Sequence, residues 1–398
     1  MADFALTGCQ VLRSGGILER GTVVVEEGQI SRVVDPSEHL RMPTIDAAGQ
    51  ICAPGFVDVH INGAGGASFD SCDPSGFDTI LETGFRYGTT SVLAAINTAP
   101  EEDRIAQLEA LASYDSTACG QVLGVHLEGP YYSPAQPGAH RPEWLRDPEP
   151  AEYGVWLERF ADLVRVVTLA PELEGGIDLV RTLCEAGVVA AIGHSMATDA
   201  QVDEAIEAGA SLVTHIYNAQ STYTRTDTDK YLGVAEMALL RDELTVEMIP
   251  DNRHLTPRMQ QLVLKAKSHD KICITTDAIE AAGQGPGKYQ VMGGVVWVDE
   301  EVAYREDRTR HAGSILTMDR AVRNIVAAGA PIGDALMMAS EIPARTIGVD
   351  DRKGVIREGA DADLVILDED LIVAATVCGG DVVYSAEGSP LSQLPEKA

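Results

Sequence analysis

The chain has 398 residues, 45% of them hydrophobic, with 61 acidic against 30 basic side chains and a net charge of −31. A core of ordinary size can be buried, no stretch is apolar for the length a membrane helix needs, and so acidic a balance argues against nucleic-acid binding, which depends on basic patches. Seven cysteines (9, 52, 72, 119, 184, 273 and 378) are scattered and never form CxxC, which suits a reduced cytoplasm and argues against a disulfide framework or thiolate zinc site.

The N-terminal MADFALTGCQ lacks the basic and apolar blocks of a signal peptide. Residues 1–52, with GGILERGTVVVEEGQISRVVD, alternate like exposed antiparallel strands joined by turns. From residue 54 to about 345 the texture changes, and short apolar runs ending in polar residues alternate with helical patterns. The runs are FVDVHIN (56–62), TSVLAAIN (90–97), VLGVHLE (122–128), VRVVTLAPE (164–172), VVAAIGHS (188–195), SLVTHIYN (211–218), TVEMIPD (245–251) and ICITTDA (272–278). Between them lie RIAQLEALASY, IDLVRTLCEAG, AQVDEAIEAG, PRMQQLVLKAK and DRAVRNIVAAG. Gly187, Gly209 and Gly329 sit where a helix C-terminus wants positive φ. Thr256 followed by Pro257 supplies a cap and a first-turn proline.

Eight such alternations of buried-type strand and helix predict an α/β fold, a (β/α)8 TIM barrel over residues 53–345. A glycine- and aromatic-rich insert, 283–312, follows the eighth strand and reads as a hairpin or lid. Residues 353–385 return to strand-like alternation. Neither flank has strands enough for a sheet alone, so 1–52 and 346–398 are expected to join as one small β-sandwich module.

Catalytic groups of a TIM barrel come from the C-terminal ends of its strands. Here five of the eight ends carry a histidine or carboxylate: His60 with Asn62, Glu128, His194, His215 and Asp277, while His254 follows the seventh strand. A lone buried histidine is more often a satisfied core residue, and a glutamate before Gly-Pro can simply cap a turn. The coincidence at one rim points instead to metal-ligand chemistry. Glu128, His194 and His215 supply two imidazoles and a carboxylate, leaving a position open for water as hydrolytic zinc sites require. Asp277 could take the proton of a water so acidified and deliver it to a leaving group. These residues suggest metal-assisted hydrolysis of a C–N or C–O bond and leave the substrate open. His126, two residues before Glu128, reads as packing and hydrogen bonding deeper in the barrel.

The words around these residues are more specific. PGFVDVHINGAGG (54–66), HLEGPYYSPAQPGAH (126–140), GHSMAT (193–198), THIYNAQS (214–221), TTDAIEAAG (275–283) and AGSILTMDRAVRN (312–324) stand in order. PARTIGVDDRKGVIREGADADLVILDEDL (343–371) and GGDVVY (379–384) follow. From about residue 48 to 385 the chain resembles the N-acetylglucosamine-6-phosphate deacetylase family of the amidohydrolase superfamily. The resemblance implies a metal held by Glu128, His194 and His215, with Asp277 as general acid and base. It implies that the Ala139–His140 and Asn218–Ala219 pairs and Arg225 grip the sugar phosphate, the arginine across a homodimer interface, and that His254 contacts substrate and helps hold its carbonyl or phosphate. His311, Ala312 and Gly313 would line the same pocket or serve as a hinge of the insert.

Two departures stand out. The superfamily often has His-x-His after the first strand, where this chain has His60-x-Asn62. An amide oxygen is a weak ligand beside imidazole, so one divalent ion per subunit is expected, zinc first with iron(II) or another divalent ion as alternatives, and His60 only a weak ligand. The family's Asp-Gly-x-His is here Asp251-Asn252-Arg253-His254. Asn252 tolerates the left-handed conformation, and Arg253 either faces the anion site or faces solvent. With only seven lysines, the first at Lys230, the acidic surface also reads as adaptation to high salt, where self-repulsion is screened. The expected function is a cytoplasmic N-acetylglucosamine-6-phosphate deacetylase. Alternatives are action on a galactosamine epimer, an unphosphorylated acetamido sugar or an N-acyl amino acid, and a non-catalytic relative.

Overall fold

The structure, a computed structural model, describes residues 3–47, 49–115, 120–291, 294–305, 308 and 311–393. Cys119 and six residues of the 283–312 insert lie outside that set. All eight apolar runs are strands: β1 (Phe56–Ile61), β2 (Thr89–Ile96), β3 (Gln121–Glu128), β4 (Val164–Leu169), β5 (Val189–Ile192), β6 (Leu212–Val213), β7 (Thr245–Met248) and β8 (Ile272–Ile274). Each pairs in parallel with the next in chain order. The ring closes between β8 and β1 through the Asp277 N–H to His60 O bond of 2.8 Å and a parallel bridge of Ile61 with Ala278. Every residue of β2 is buried, as expected for strands covered on both faces.

A helix follows each strand. The five expected from periodicity are present; those at Pro74–Phe85, Pro150–Phe160 and Val234–Leu240 were not foreseen. Gly76 and Gly84 interrupt the first and Gly154 the second, and glycine weakens a helical signal by about 1 kcal/mol against alanine. Packing overrides that cost, because Phe77, Ile80, Leu81 and Phe85 of the first helix all enter the core. Pro257 opens its helix as expected, but the Thr256 side chain makes no capping bond.

On the outer ring the fully buried Arg104 guanidinium pairs with Glu101 and, at 2.6 Å, with Glu152. Arg146 grips Glu152 through two bonds of 2.8 Å. Burial opposes ionisation of Glu152, yet these two guanidiniums hold its pKa down to about 2. A depressed carboxylate contributes stability that is complete above its ordinary value and is lost as pH falls through the folded one. Glu152→Gln should therefore lower the denaturant midpoint at pH 7, and its stability should change less than the parent's between pH 4.5 and 2. Equal acid sensitivity in the two proteins would dismiss the network as a contributor.

The flanks join in one sheet in the order 381–385, 373–378, 364–367, 51–54, 4–13, 17–26, 29–34, with 44–46 beside 4–13. Leu364–Leu367 pairs with Ile51–Pro54, which stitches the C-terminal segment to the N-terminal one. Side chains alternate: Ile51, Ala53, Val365 and Leu367 join the barrel core, whereas Cys52, Leu364 and Ile366 meet Phe4, Leu6 and Val25 in a separate core. The insert is more than a single hairpin. It forms three antiparallel strands, Gly287–Val291, Gly294–Val298 and Ala303–Arg305. Val291, Val296, Val298 and Ala303 pack on Ile279, Ala281 and Ala312, which seats the insert on the loop after β8.

Candidate active site

Glu128 is the last residue of β3, His194 and His215 lie two residues past β5 and β6, and Asp277 lies three past β8. His194, His215 and Asp277 have φ of 49°, 28° and 47°, a left-handed conformation that non-glycine residues adopt at a cost and that concentrates at functional sites. These turns aim the three side chains into the barrel mouth. Gly129 has φ 92°, and a Cβ there would come within 2.6 Å of Thr98 Cγ2, so glycine alone lets the chain leave β3 beside Glu128. Gly138 is equally constrained, because its Cβ would meet the His194 ring at 2.6 Å.

His194 Nε2 and His215 Nε2 are 3.1 Å apart, and they lie 3.3 and 3.4 Å from Glu128 Oε1. A tetrahedral ion with bonds of about 2.0–2.1 Å has edges of about 3.3–3.4 Å, so the triangle fits a divalent metal. His194 Nδ1 donates to Gln136 O at 2.9 Å, which leaves the Nε2 lone pair free to ligate. Burial, offset in part by Glu128, pushes the His194 pKa down to about 4, with His140 and His215 adding to the fall. The ring is therefore neutral, and that is the ligating form.

Beneath this triangle lies a second group. His60 Nδ1 is 3.1 Å from Glu247 Oε2, and His60 Nε2 is 3.5 Å from Glu128 Oε2 and 3.7 Å from Asp277 Oδ1. His126 spends both ring nitrogens on protein, Nε2 on Thr168 Oγ1 at 2.7 Å and Nδ1 on Val59 O at 3.1 Å. It is a hydrogen-bonded core residue, as its position two residues before Glu128 suggested. Glu247 was not anticipated. It sits in the fully buried β7, and its Oε2 also accepts the His215 backbone N–H at 3.3 Å. A glutamate inside an otherwise apolar strand was the available signal. Glu247→Gln should keep the fold and weaken metal retention about tenfold in a chelator competition, the size typical of outer partners of ligands; unchanged affinity would reduce Glu247 to core packing.

Asn62 presents no oxygen to the metal triangle. Its Nδ2 donates to Asp277 Oδ1 at 2.9 Å, and its Oδ1 accepts from Asn97 Nδ2 at 2.9 Å. Asn97 in turn donates to the half-buried Asp70 at 2.8 Å. This chain of amides orients Asp277. Burial raises the Asp277 carboxyl above its ordinary range, partly offset by His60.

The cleft above these groups has a volume of about 210 Å³. Ala139, His140, Asn218, Ala219, His254, His311 and Gly313 all line it. Ala312 opens onto an adjoining cavity instead. His140 joins Thr98 Oγ1 at 3.1 Å and approaches Glu128 Oε1 at 3.5 Å. Asp251 fixes His254, accepting from its Nδ1 at 2.6 Å and its backbone N–H at 2.7 Å. Burial opposes a charge on His254, but Asp251 holds its pKa above the ordinary value. Asn252 takes φ 66°, so the turn survives without glycine. Arg253 turns to solvent and pairs with Glu301. Arg225 lies on an exposed hairpin, Thr224–Thr226 with Asp229–Tyr231, and is absent from the cleft wall of its own chain.

Residues 51–383 match the model of the amidohydrolase family. The chain belongs to the amidohydrolase family. Among members of the family, it is similar to the N-acetylglucosamine-6-phosphate deacetylase of Bacillus subtilis, 33% identical over 94% of this chain and 95% of the relative. The solved deacetylase of Pasteurella multocida superposes with a TM-score of 0.88 at 30% identity, covering 95% of this chain and 98% of the other. A mutant deacetylase of Mycobacterium smegmatis, solved in complex with N-acetyl-D-glucosamine-6-phosphate, gives a TM-score of 0.88 at 32% identity, covering 97% and 100%. Among the described residues no helix is long and apolar enough to cross a membrane.

Proposed function

We propose that this amidohydrolase removes the acetyl group of N-acetylglucosamine 6-phosphate, yielding glucosamine 6-phosphate and acetate. The observation that carries the reading is a half-buried Asp277 held by Asn62 beside the Glu128–His194–His215 triangle. It is supported by relatives of that name over nearly the whole chain. Glu128, His194 and His215 would hold one divalent ion, zinc first, with His60 a weak fourth partner. Bound there, such an ion would polarise the amide carbonyl and acidify water. Asp277 accepts the water proton as the C–O bond forms, then returns it to the amide nitrogen as the C–N bond breaks, so the amine leaves neutral. His254, its Nδ1 held by Asp251, would contact the substrate carbonyl or phosphate, and Asn218, Ala219, His140 and the His311–Gly313 segment would shape the sugar pocket. Arg225 would supply a cation to the neighbouring cleft of a homodimer. We assign residues 53–345 to the catalytic barrel, 1–52 and 346–398 to the supporting module, and the protein to the cytoplasm.

Acetate release from N-acetylglucosamine and N-acetylgalactosamine, each with and without the 6-phosphate, tests this. The glucosamine 6-phosphate derivative should be preferred at least about 100-fold in kcat/KM over the unphosphorylated sugar, as expected when polar groups that would bind the phosphate are left unpaired. Equal turnover of both would replace this substrate by the unphosphorylated one.

A further inference from the structure

A second cavity of about 300 Å³ adjoins the cleft, with Ala139 common to both walls and Ala312 next to His311 and Gly313. Its lining comes from Thr98 after β2, from Arg141 and Trp144 after β3, and from Val291, Val296 and Arg305 of the insert. Arg141 lies 4.7 Å over the Trp144 ring, a stacking that fixes the guanidinium plane while leaving its edge free. In this chain of net charge −31, arginines typically sit against carboxylates, as Arg104, Arg146, Arg159 and Arg253 do. Arg141 and Arg305 make no ion pair among the described residues, and both face this one cavity. Two uncompensated guanidiniums beside an indole and valines suit an oxyanion carried on a body with an apolar face. The cavity belongs to the loops after β2, β3 and β8, whereas Asn218 and His254 follow β6 and β7.

We propose that Arg141, Arg305 and Trp144 form a second anion subsite that takes an oxyanion attached to the acetamido sugar, either its own phosphate or a further carboxylated substituent. The proposal rests on the reading of the cleft as an acetamido-sugar site. The test compares the parent with Arg141→Ala, Arg305→Ala and the double variant on three substrates: N-acetylglucosamine, its 6-phosphate, and a carboxymethyl ether of that phosphate. Both side chains are exposed, so the variants should fold.

If the subsite holds the phosphate, the double variant raises KM at least about tenfold for both phosphorylated substrates, leaves kcat within about twofold, and leaves the unphosphorylated sugar unaffected. If it holds the added acid, only the carboxymethyl ether loses affinity. Lysine at both positions should recover part of either loss. KM values within about twofold for all three substrates would overturn the proposal. Titration with inorganic phosphate, followed by tryptophan fluorescence, separates this from failure of the deacetylase reading. If the parent releases no acetate from any sugar, a phosphate Kd weakened at least about tenfold in the double variant still supports the subsite, and an unchanged Kd removes it.

Discussion

Asp277→Asn should retain one equivalent of metal and a near-parental melting temperature while kcat falls about 10²–10⁴-fold, the range that a positioned acid–base group contributes. The substitution is isosteric, and an asparagine oxygen can still accept the 2.9 Å bond from Asn62 Nδ2. The backbone N–H that closes the barrel on His60 O is untouched. What disappears is the capacity to accept a proton and return it. Acetate release under single-turnover conditions, with metal content measured on the same sample, separates this from structural damage. A variant with near-normal rate would remove Asp277 from the chemistry, and one that loses its metal would make it a ligand.

Asn62 and Asn97 extend the same argument outward. The amide chain from Asp70 through Asn97 and Asn62 to Asp277 crosses the loops after β1 and β2. None of its links follows from spacing along the sequence. The barrel strands were legible because burial on both faces writes a short apolar run, and the candidate ligands were legible because each run ended in a polar residue. Glu247 escaped notice for the opposite reason. A carboxylate within β7 reads as a surface residue until the fold sets it 3.1 Å from His60. Helices carrying Gly76, Gly84 and Gly154 were invisible to periodicity, since the packing that sustains them is tertiary. The insert was misread because a glycine-rich segment does not disclose how many strands it makes. Arg253 was ambiguous in sequence, and only the position of Glu301 decides that it faces solvent.

His194→Ala tests the metal triangle itself and should weaken retention of the ion more than about 100-fold, beyond the 10–100-fold typical of outer partners. His194 Nε2 closes two of the three edges, to His215 and to Glu128. Its other nitrogen is fixed on Gln136 O, which holds the ring in the ligating orientation. A ligand that binds only the folded state stabilises it by RT ln(1 + [L]/Kd), about 2.7 kcal/mol at 100 Kd. Added zinc should therefore raise the melting temperature of the metal-depleted parent and leave that of the variant unmoved, a readout independent of turnover. Because Asn62 is committed to Asp277 and Asn97, and His126 to Thr168 and Val59, His60 lacks the partners for a tight second site. Metal analysis of the parent should return one firmly held equivalent per chain. Two would mean that His60 and Glu247 form a site of their own, and full retention by the alanine variant would place the ion elsewhere than at Glu128.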